Sequence, residues 1–122
     1  MKDLIYKVKG CCLDIHRVLG PGLFEKVYQT ALVYELRQSG FNIKTEVKIP
    51  IIYKGIKIDE GFRADIIVDN NLIVELKAIE SINPIHHVQL KTYMALSGIP
   101  MGLLVNFNTA NLFKDGIYSW HL

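Results

Sequence analysis

The first forty residues of the chain repeat hydrophobic side chains at the spacing of an α-helix. From about Asp3 to Leu19 the apolar residues recur every three or four positions, which predicts an amphipathic helix. Gly20-Pro21-Gly22 should end this helix, because these residues interrupt the helical pattern. A second helix is predicted from about Leu23 to Ser39, with Gly40 as its C-cap.

Beyond Gly40 the pattern changes to the two-residue alternation of β-structure. Isoleucine and valine alternate with charged residues from Phe41 to Tyr53, which predicts a strand. Lys54-Gly55 should form a turn, and the apolar runs between Arg63 and Ala78 predict a hairpin of two strands.

The remaining third of the chain predicts one helix and two strands. Asn83-Pro84 is typical of an N-cap and first helical position, for a helix that ends near Ser97. The apolar run from Met101 to Phe107 predicts a buried strand. Lys114-Asp115-Gly116 should turn the chain into a last strand, Ile117 to Trp120. The predicted fold class is α/β, a mixed sheet flanked by helices in the order ααβββαββ.

Three charged residues, Asp65, Glu75 and Lys77, interrupt the hydrophobic hairpin. Side chains alternate between the two faces of a strand, so each strand has one wholly apolar face, formed by Ala64, Ile66 and Val68 and by Leu72, Val74 and Leu76. Burying both faces together fixes the register. A three-residue loop, Asp69-Asn70-Asn71, with Asn71 in the left-handed conformation, would pair Val68 with Leu72. Asp65 would then lie directly opposite Glu75.

Two carboxylates that face each other repel, so another group must offset their charge. Hard oxygen ligands in this arrangement suit Mg²⁺ or Mn²⁺, and Lys77 on the same face could stabilise phosphate charge. The alternative is a salt bridge between Lys77 and the carboxylates on a solvated face of the sheet. Spacing alone favours that alternative.

The composition of the chain excludes few classes of function. The chain has 122 residues, half of them hydrophobic, and a net charge of +2, which neither requires nor excludes nucleic acid. We expect one domain over residues 1–122. The adjacent Cys11 and Cys12 are expected to be free thiols in a reducing compartment. Because the sequence shows no signal-peptide pattern and no apolar run of transmembrane length, we expect a cytoplasmic protein without a membrane partner.

Three motifs in order resemble those of a known enzyme superfamily. Asp65, nine further residues and then Glu75-Leu76-Lys77 on a hairpin resemble the PD-(D/E)XK nucleases. GLFEKVY, Gly22 to Tyr28, fits the G-x-x-E-x-x-Y signature of the GxxExxY family within that superfamily. QLKTY, Gln89 to Tyr93, is similar to the Q-x-x-x-Y motif of exonuclease-like members. The chain departs from the pattern at Ala64, where the superfamily's name has proline.

The resemblance implies a restriction-endonuclease-like fold and assigns roles to the residues that match. Asp65 and Glu75 would bind Mg²⁺ or Mn²⁺, with the carbonyl of Leu76 as a further ligand and Glu25 as a ligand directly or through water. Lys77 would be the catalytic lysine. Gln89 and Tyr93 would position the lysine, the water or the phosphate.

Each helical residue also has a simpler interpretation. Tyr28 and Tyr93 could pack in the core with their hydroxyls at its rim, and Gln89 could lie on the surface. Glu25 could simply carry favourable charge at a helix N-terminus. His86 is interpreted as a phosphate contact.

Basic residues give modest support for a nucleic-acid partner. Arg63 and Lys48 are candidate contacts to backbone phosphates, and an ordinary solvated charge distribution is the alternative. His87 is interpreted as a surface residue.

The sequence therefore predicts a divalent-metal-dependent nuclease that cuts phosphodiester bonds, in DNA rather than RNA. Structure-dependent or nonspecific cleavage is expected, and a homodimer is one expected form. The alternative is a catalytically inactive nucleic-acid-binding accessory module of the same fold. A pure protein-interaction domain would leave the carboxylate pair unexplained.

Overall fold

A computed structural model describes residues 2–122. The helices and strands are α1 (Lys2–Leu19), α2 (Glu25–Gln38), β1 (Ile43–Lys48), β2 (Ile51–Tyr53), β3 (Ile56–Ile58), β4 (Arg63–Val68), β5 (Leu72–Lys77), α3 (Pro84–Ser97), β6 (Met101–Asn106), α4 (Leu112–Asp115) and β7 (Ile117–His121). The predicted mixed α/β fold is confirmed, but the predicted order ααβββαββ was wrong in detail, because it counted β1 and β2 as one strand and missed β3 and the short helix α4.

The strand predicted from Phe41 to Tyr53 is divided in two. Ile49 leaves the sheet, lies buried, and donates its backbone N–H to the Phe62 carbonyl at 3.0 Å. Pro50 follows and has no N–H for a ladder, so β1 stops before it. The residues beyond it form β2, which pairs with β3 in a separate two-stranded sheet.

The five remaining strands form one sheet in the order β1-β4-β5-β6-β7. Only β5 and β6 run parallel, and α3 makes the crossover between them. The helices α1 and α2 share a hydrophobic cluster with one face of the sheet, and α3 shares a second cluster with the other face. The sheet is therefore buried on both sides, which explains the uninterrupted apolar sequence of β6.

The β4–β5 hairpin has the predicted register, since Val68 pairs with Leu72. The left-handed residues are Asp69 (φ 52°) and Asn70 (φ 55°), so the prediction for Asn71 was wrong. The Asn71 N–H donates to the Val68 carbonyl at 2.9 Å and closes the turn. Positive φ at both central residues is the type I′ geometry, whose twist matches the flanking strands better than a single left-handed residue would.

Ala64 is a second departure from the predicted hairpin. It packs with Ile67 in the α3 cluster, although strict alternation would place it with Ile66 and Val68 on the α1–α2 side. The β4–β5 ladder ends at the pair Ile66–Val74, so the chain around Asp65 is free to rotate out of the regular pleat. This distortion lies at the centre of the candidate site.

Two further sequence expectations concern thiols and membranes. Cys11 and Cys12 are both free thiols, and Cys12 is fully buried on α1. Among residues 2–122, no helix has both the length and the hydrophobicity that crossing a bilayer requires.

Candidate active site

Asp65 and Glu75 lie side by side where the β4–β5 ladder ends. The backbone N–H of Asp65 donates to Glu75 Oε1 at 3.2 Å, and the backbone N–H of Leu76 donates to Asp65 Oδ2 at 2.8 Å. The two carboxyl groups also influence each other's pKa. The structure thus brings the two predicted metal ligands together, and each backbone helps to hold the other residue's side chain.

Ionising both carboxyl groups of this pair costs free energy in the folded protein. Glu75 is only 6% exposed, and burial together with the negative charge of Asp65 raises its pKa to about 9. Burial also raises the pKa of Asp65, although the hydrogen bond from Leu76 and the charge of Lys77 oppose that shift. A cation bound between the two groups would reverse this cost.

Glu25 reaches the same region from the first turn of α2. Burial raises the pKa of its carboxyl group, and the neighbouring charge of Asp65 raises it further. The helix begins at Glu25 rather than at Leu23, with Phe24 as N-cap. Glu25 therefore combines a position at the positive end of the helix dipole with proximity to the carboxylate pair.

Tyr28 anchors the loop that leads into α2. Its hydroxyl donates to the Gly20 carbonyl at 2.6 Å and accepts the Leu23 N–H at 3.1 Å. Its ring is fully buried and stacks on Phe107 with centroids 4.4 Å apart. Gly22 within this loop has φ 98°, which favours glycine. The glycine and tyrosine of G-x-x-E-x-x-Y thus shape the approach to Glu25, and core packing is the confirmed interpretation of Tyr28.

Gln29 and Glu46 belong to the site, although the sequence analysis missed both. Gln29 is buried, and its Nε2 donates to Glu46 Oε1 and to the Asp65 carbonyl, each at 3.1 Å. Gln29 follows Glu25 by four residues and therefore shares its helical face, a signal that could have identified it. Glu46 has the uncommon φ of 53° inside β1, between the paired residues Thr45 and Val47 of the β1–β4 register. No local sequence pattern indicates its role in the site.

Lys77 is half-buried at the end of β5, and its charge acts on three carboxyl groups of the site. It lowers the pKa values of Asp65, Glu75 and Glu25 against the larger effect of burial. Within residues 2–122, Lys77 forms no ion pair with a carboxylate closer than 4.0 Å. The salt-bridge interpretation is therefore not what the structure shows, since the ammonium group lies near the pair without direct contact.

Asn106 is a third residue that the sequence analysis missed. It is buried beside Lys77 in the parallel β5–β6 register. Its Oδ1 accepts the Ile79 N–H at 3.1 Å, and its Nδ2 donates to the Ile79 carbonyl at 3.0 Å. These bonds fasten the chain two residues beyond Lys77, so Asn106 fixes where β5 ends.

From α3, Tyr93 faces the carboxylate pair. It packs edge-on against Phe62 at 4.9 Å between ring centroids. Burial raises the pKa of its phenol, with the charges of Glu75 and Asp65 adding to the shift. Gln89 lies one helical turn earlier, half-buried, and its side chain makes no hydrogen bond with another described residue. Tyr93 thus combines core packing with proximity to the site.

The two histidines of α3 have different partners. His86 Nδ1 accepts the Asn83 N–H at 2.9 Å and so helps to cap the helix, while burial and the charge of Lys77 lower its pKa. His87 is half-buried, and its Nδ1 accepts the Trp120 Nε1–H at 3.0 Å. The prediction that His87 is a surface residue was wrong, because β7 covers it.

Arg63 and Lys48 form an exposed cross-strand pair at the edge of the site. Arg63 Nη1 lies 3.9 Å from Glu46 Oε2, and Lys26 Nζ on α2 lies 4.0 Å from Glu46 Oε1. Glu46 therefore faces two cations that are otherwise open to solvent.

The donor set suits a hard divalent cation. Asp65 and Glu75 supply carboxylate oxygens, and the Leu76 carbonyl points to the same side of its strand as the N–H that contacts Asp65. In the described part of the chain, no three His, Cys, Asp or Glu side chains converge as a metal cluster. The residues thus fit an ion that takes two carboxylates and completes its shell with water or phosphate, as Mg²⁺ does.

Comparison with known proteins identifies the superfamily of the chain. A family model described as the PD-(D/E)XK nuclease superfamily matches residues 2–118. Comparison with curated proteins and with solved structures gave no match. The five-stranded mixed sheet with helices on both faces is consistent with a restriction-endonuclease-like fold. Since the match spans nearly the whole sequence, the chain belongs to the PD-(D/E)XK nuclease superfamily.

Proposed function

We propose that this protein is a divalent-metal-dependent nuclease that hydrolyses phosphodiester bonds in DNA. The observation that carries the proposal is the geometry of the Asp65–Glu75 pair, in which each carboxyl group accepts a backbone N–H from the other strand, so that the two acids are held together. A purely structural role would favour neutral residues at these positions, because unpaired buried charge destabilises a fold.

In this proposal Asp65, Glu75 and the Leu76 carbonyl hold Mg²⁺ or Mn²⁺, and Glu25 contributes directly or through water. The bound ion would polarise the phosphate and lower the pKa of a water molecule. Lys77 places positive charge near the phosphate, where negative charge grows in the transition state.

The supporting residues hold this arrangement in place. Gln89 and Tyr93 approach from α3 and orient the phosphate, the water or the lysine. Gln29 holds the backbone of Asp65, and Asn106 holds the chain after Lys77.

The substrate proposed here is DNA rather than RNA, cut in a structure-dependent or nonspecific manner by a monomer or a homodimer. Arg63, Lys48 and the free ring nitrogen of His86 would contact backbone phosphates. Residues 1–122 would act as one domain, which we assign to the GxxExxY family because Gly22, Glu25 and Tyr28 shape the start of α2. Two free thiols fit a reducing, cytoplasmic setting.

A second candidate function follows from the metal-ligand count. Because no third His, Cys, Asp or Glu side chain among residues 2–122 completes a metal cluster with the carboxylate pair, the same fold would also suit a nucleic-acid-binding accessory module without catalysis. Such a module would retain the basic residues around Arg63 and would bind DNA with no dependence on Lys77.

Cleavage assays with Lys77→Ala distinguish the two functions. Linear, nicked and branched DNA would be incubated with Mg²⁺ or Mn²⁺, and cleavage by Lys77→Ala should fall at least about 100-fold while DNA binding changes little. Lys7→Ala, which changes an exposed lysine of α1, is the matched control and should cleave like the wild type. Wild-type protein that binds these substrates but cuts none of them with either ion would establish the accessory module instead.

A further inference from the structure

The β2–β3 hairpin stands apart from the main sheet. Its two strands pair only with each other, and they connect the end of β1 to the start of β4. Lys54 (φ 47°) and Gly55 (φ 81°) form the tip, as the sequence predicted for this turn. Positive φ at both positions indicates a type I′ turn, the tightest connection between two strands. The hairpin therefore ends in a narrow, well-defined tip.

This hairpin exposes large hydrophobic side chains that do not pack in the hydrophobic core. Ile52, Tyr53 and Ile56 are 64%, 57% and 62% exposed, and none of them belongs to either hydrophobic cluster. The register pairs Tyr53 with Ile56 at the tip and Ile51 with Ile58 at the base, so these four share one face. Ile51 and Ile58 are half-buried, whereas the two tip residues project into solvent.

The base of the hairpin lies beside the candidate active site. Lys48, the last residue of β1, pairs with Arg63, the first residue of β4. Arg63 precedes Asp65 by two residues, so the hairpin emerges from the end of the sheet that carries the carboxylate pair. A substrate phosphate at Asp65 would leave the neighbouring nucleotides within reach of this hairpin.

The charges of the hairpin favour nucleic acid over a second copy of the chain as the partner of its apolar tip. Residues 51–58 contain Lys54 and Lys57 and no acidic residue. Lys54 Nζ lies 5.5 Å from the centroid of the Tyr53 ring. An exposed ring beside cations suits nucleic acid, because a base can stack on the ring while phosphates contact the lysines. A second copy docked on the same tip would bring like charges together, which disfavours self-association there.

We propose that the β2–β3 hairpin is a wedge that binds DNA at an unpaired base. Tyr53 and Ile56 contact the face of a base exposed at a single-stranded or branched position, and Lys54 and Lys57 contact the flanking phosphates. Side chains of this kind insert where bases are already unstacked, since opening an intact duplex costs a few kcal/mol per step. The inference rests on the proposed nucleic-acid substrate and adds a preference for discontinuous DNA.

Binding measured without divalent ions tests the wedge separately from catalysis. Fluorescence anisotropy in EDTA would compare a single strand, a three-way junction and a plain duplex of matched sequence. Tyr53→Ala should weaken binding to the strand and the junction by about 5- to 100-fold, the range expected for one lost stacking contact. Binding to the plain duplex should change less than about twofold. Tyr53→Trp should restore the affinity.

Tyr6→Ala is the matched control, because Tyr6 is also an exposed tyrosine and lies on α1, outside the hairpin. Thermal melting should be unchanged in both variants, since neither side chain is buried. The proposal is overturned if Tyr53→Ala binds all three DNAs like Tyr6→Ala, or if it alters only the oligomeric state in size-exclusion chromatography. If the wild type cuts DNA and the hairpin variants bind normally, the wedge fails while the nuclease proposal stands. If the wild type binds none of the DNAs, the wedge fails, and cleavage with Mg²⁺ or Mn²⁺ decides the nuclease proposal separately.

Discussion

Replacing Glu75 by glutamine should stabilise the metal-free protein at neutral and alkaline pH. Burial and the adjacent Asp65 raise the pKa of Glu75 to about 9, whereas an unfolded chain leaves a glutamate near its ordinary value of about 4.3. Between these two values the folded protein holds a proton that the unfolded chain has released. Stability must therefore fall as the pH rises through this window, and glutamine, which carries no ionisable group, removes the effect.

The size of the effect follows from proton linkage. One extra proton in the folded state lowers the free energy of unfolding by about 1.4 kcal/mol for each pH unit. Between pH 6 and pH 8 the wild type should lose about 3 kcal/mol relative to Glu75→Gln. Because Asp65 and Glu75 interact directly, this proton belongs to the pair rather than to one residue. The free energy of unfolding of Asp65→Asn should therefore also fall as the pH rises, as it does for the wild type.

Urea unfolding followed by circular dichroism in EDTA, at pH 6, 7 and 8, measures this difference. Glu80→Gln is the matched control, since Glu80 is exposed and follows β5 by three residues. It should retain the wild-type pH dependence. Parallel pH profiles for the wild type and Glu75→Gln would refute the buried-pair argument.

Adding Mn²⁺ at pH 8 should narrow the difference in stability between the two proteins. An ion that binds only the folded state stabilises it by about 2.7 kcal/mol at roughly 100 times its dissociation constant. The wild type should gain this amount and Glu75→Gln far less. Equal gains would mean that the ion binds elsewhere.

Three further substitutions test the residues that shape the site. Tyr28→Phe retains the ring stack on Phe107 but leaves the Gly20 carbonyl and the Leu23 N–H without their partner, so thermal or urea unfolding should show a loss of about 1–3 kcal/mol. A loss as small as that of an exposed Tyr→Phe change would contradict the anchoring role. Asn106→Ala should lose a similar amount and should also slow cleavage at temperatures where the variant is fully folded, because the chain after Lys77 is released. Arg63→Ala should weaken DNA binding and reduce the slope of log affinity against log salt by about one, and an unchanged slope would exclude Arg63 as a phosphate contact.

The local structure of this protein could be predicted from its sequence, because the interactions that decide it lie within a few residues. Helical spacing located α1 and α2, and apolar alternation with a polar turn set the Val68–Leu72 register. That register was enough to bring Asp65 and Glu75 together. The turn itself was predicted in length and not in detail, since Asp69, Asn70 and Asn71 all tolerate the left-handed conformation and the twist of the strands decides among them.

The rest of the site depends on contacts that only the tertiary structure creates. Gln29 contacts Glu46 and Asp65 across 17 and 36 residues of sequence, and Asn106 holds Ile79 across 27. The sequence around a polar side chain does not reveal so distant a partner, because the neighbouring residues neither donate hydrogen bonds to that side chain nor accept them from it. The rotation of the chain at Asp65 and the positive φ of Glu46 have the same origin, since both arise where packed elements meet. Sequence thus determined which residues could do chemistry, and the packing of α2 and β6 against the hairpin decided how they are held.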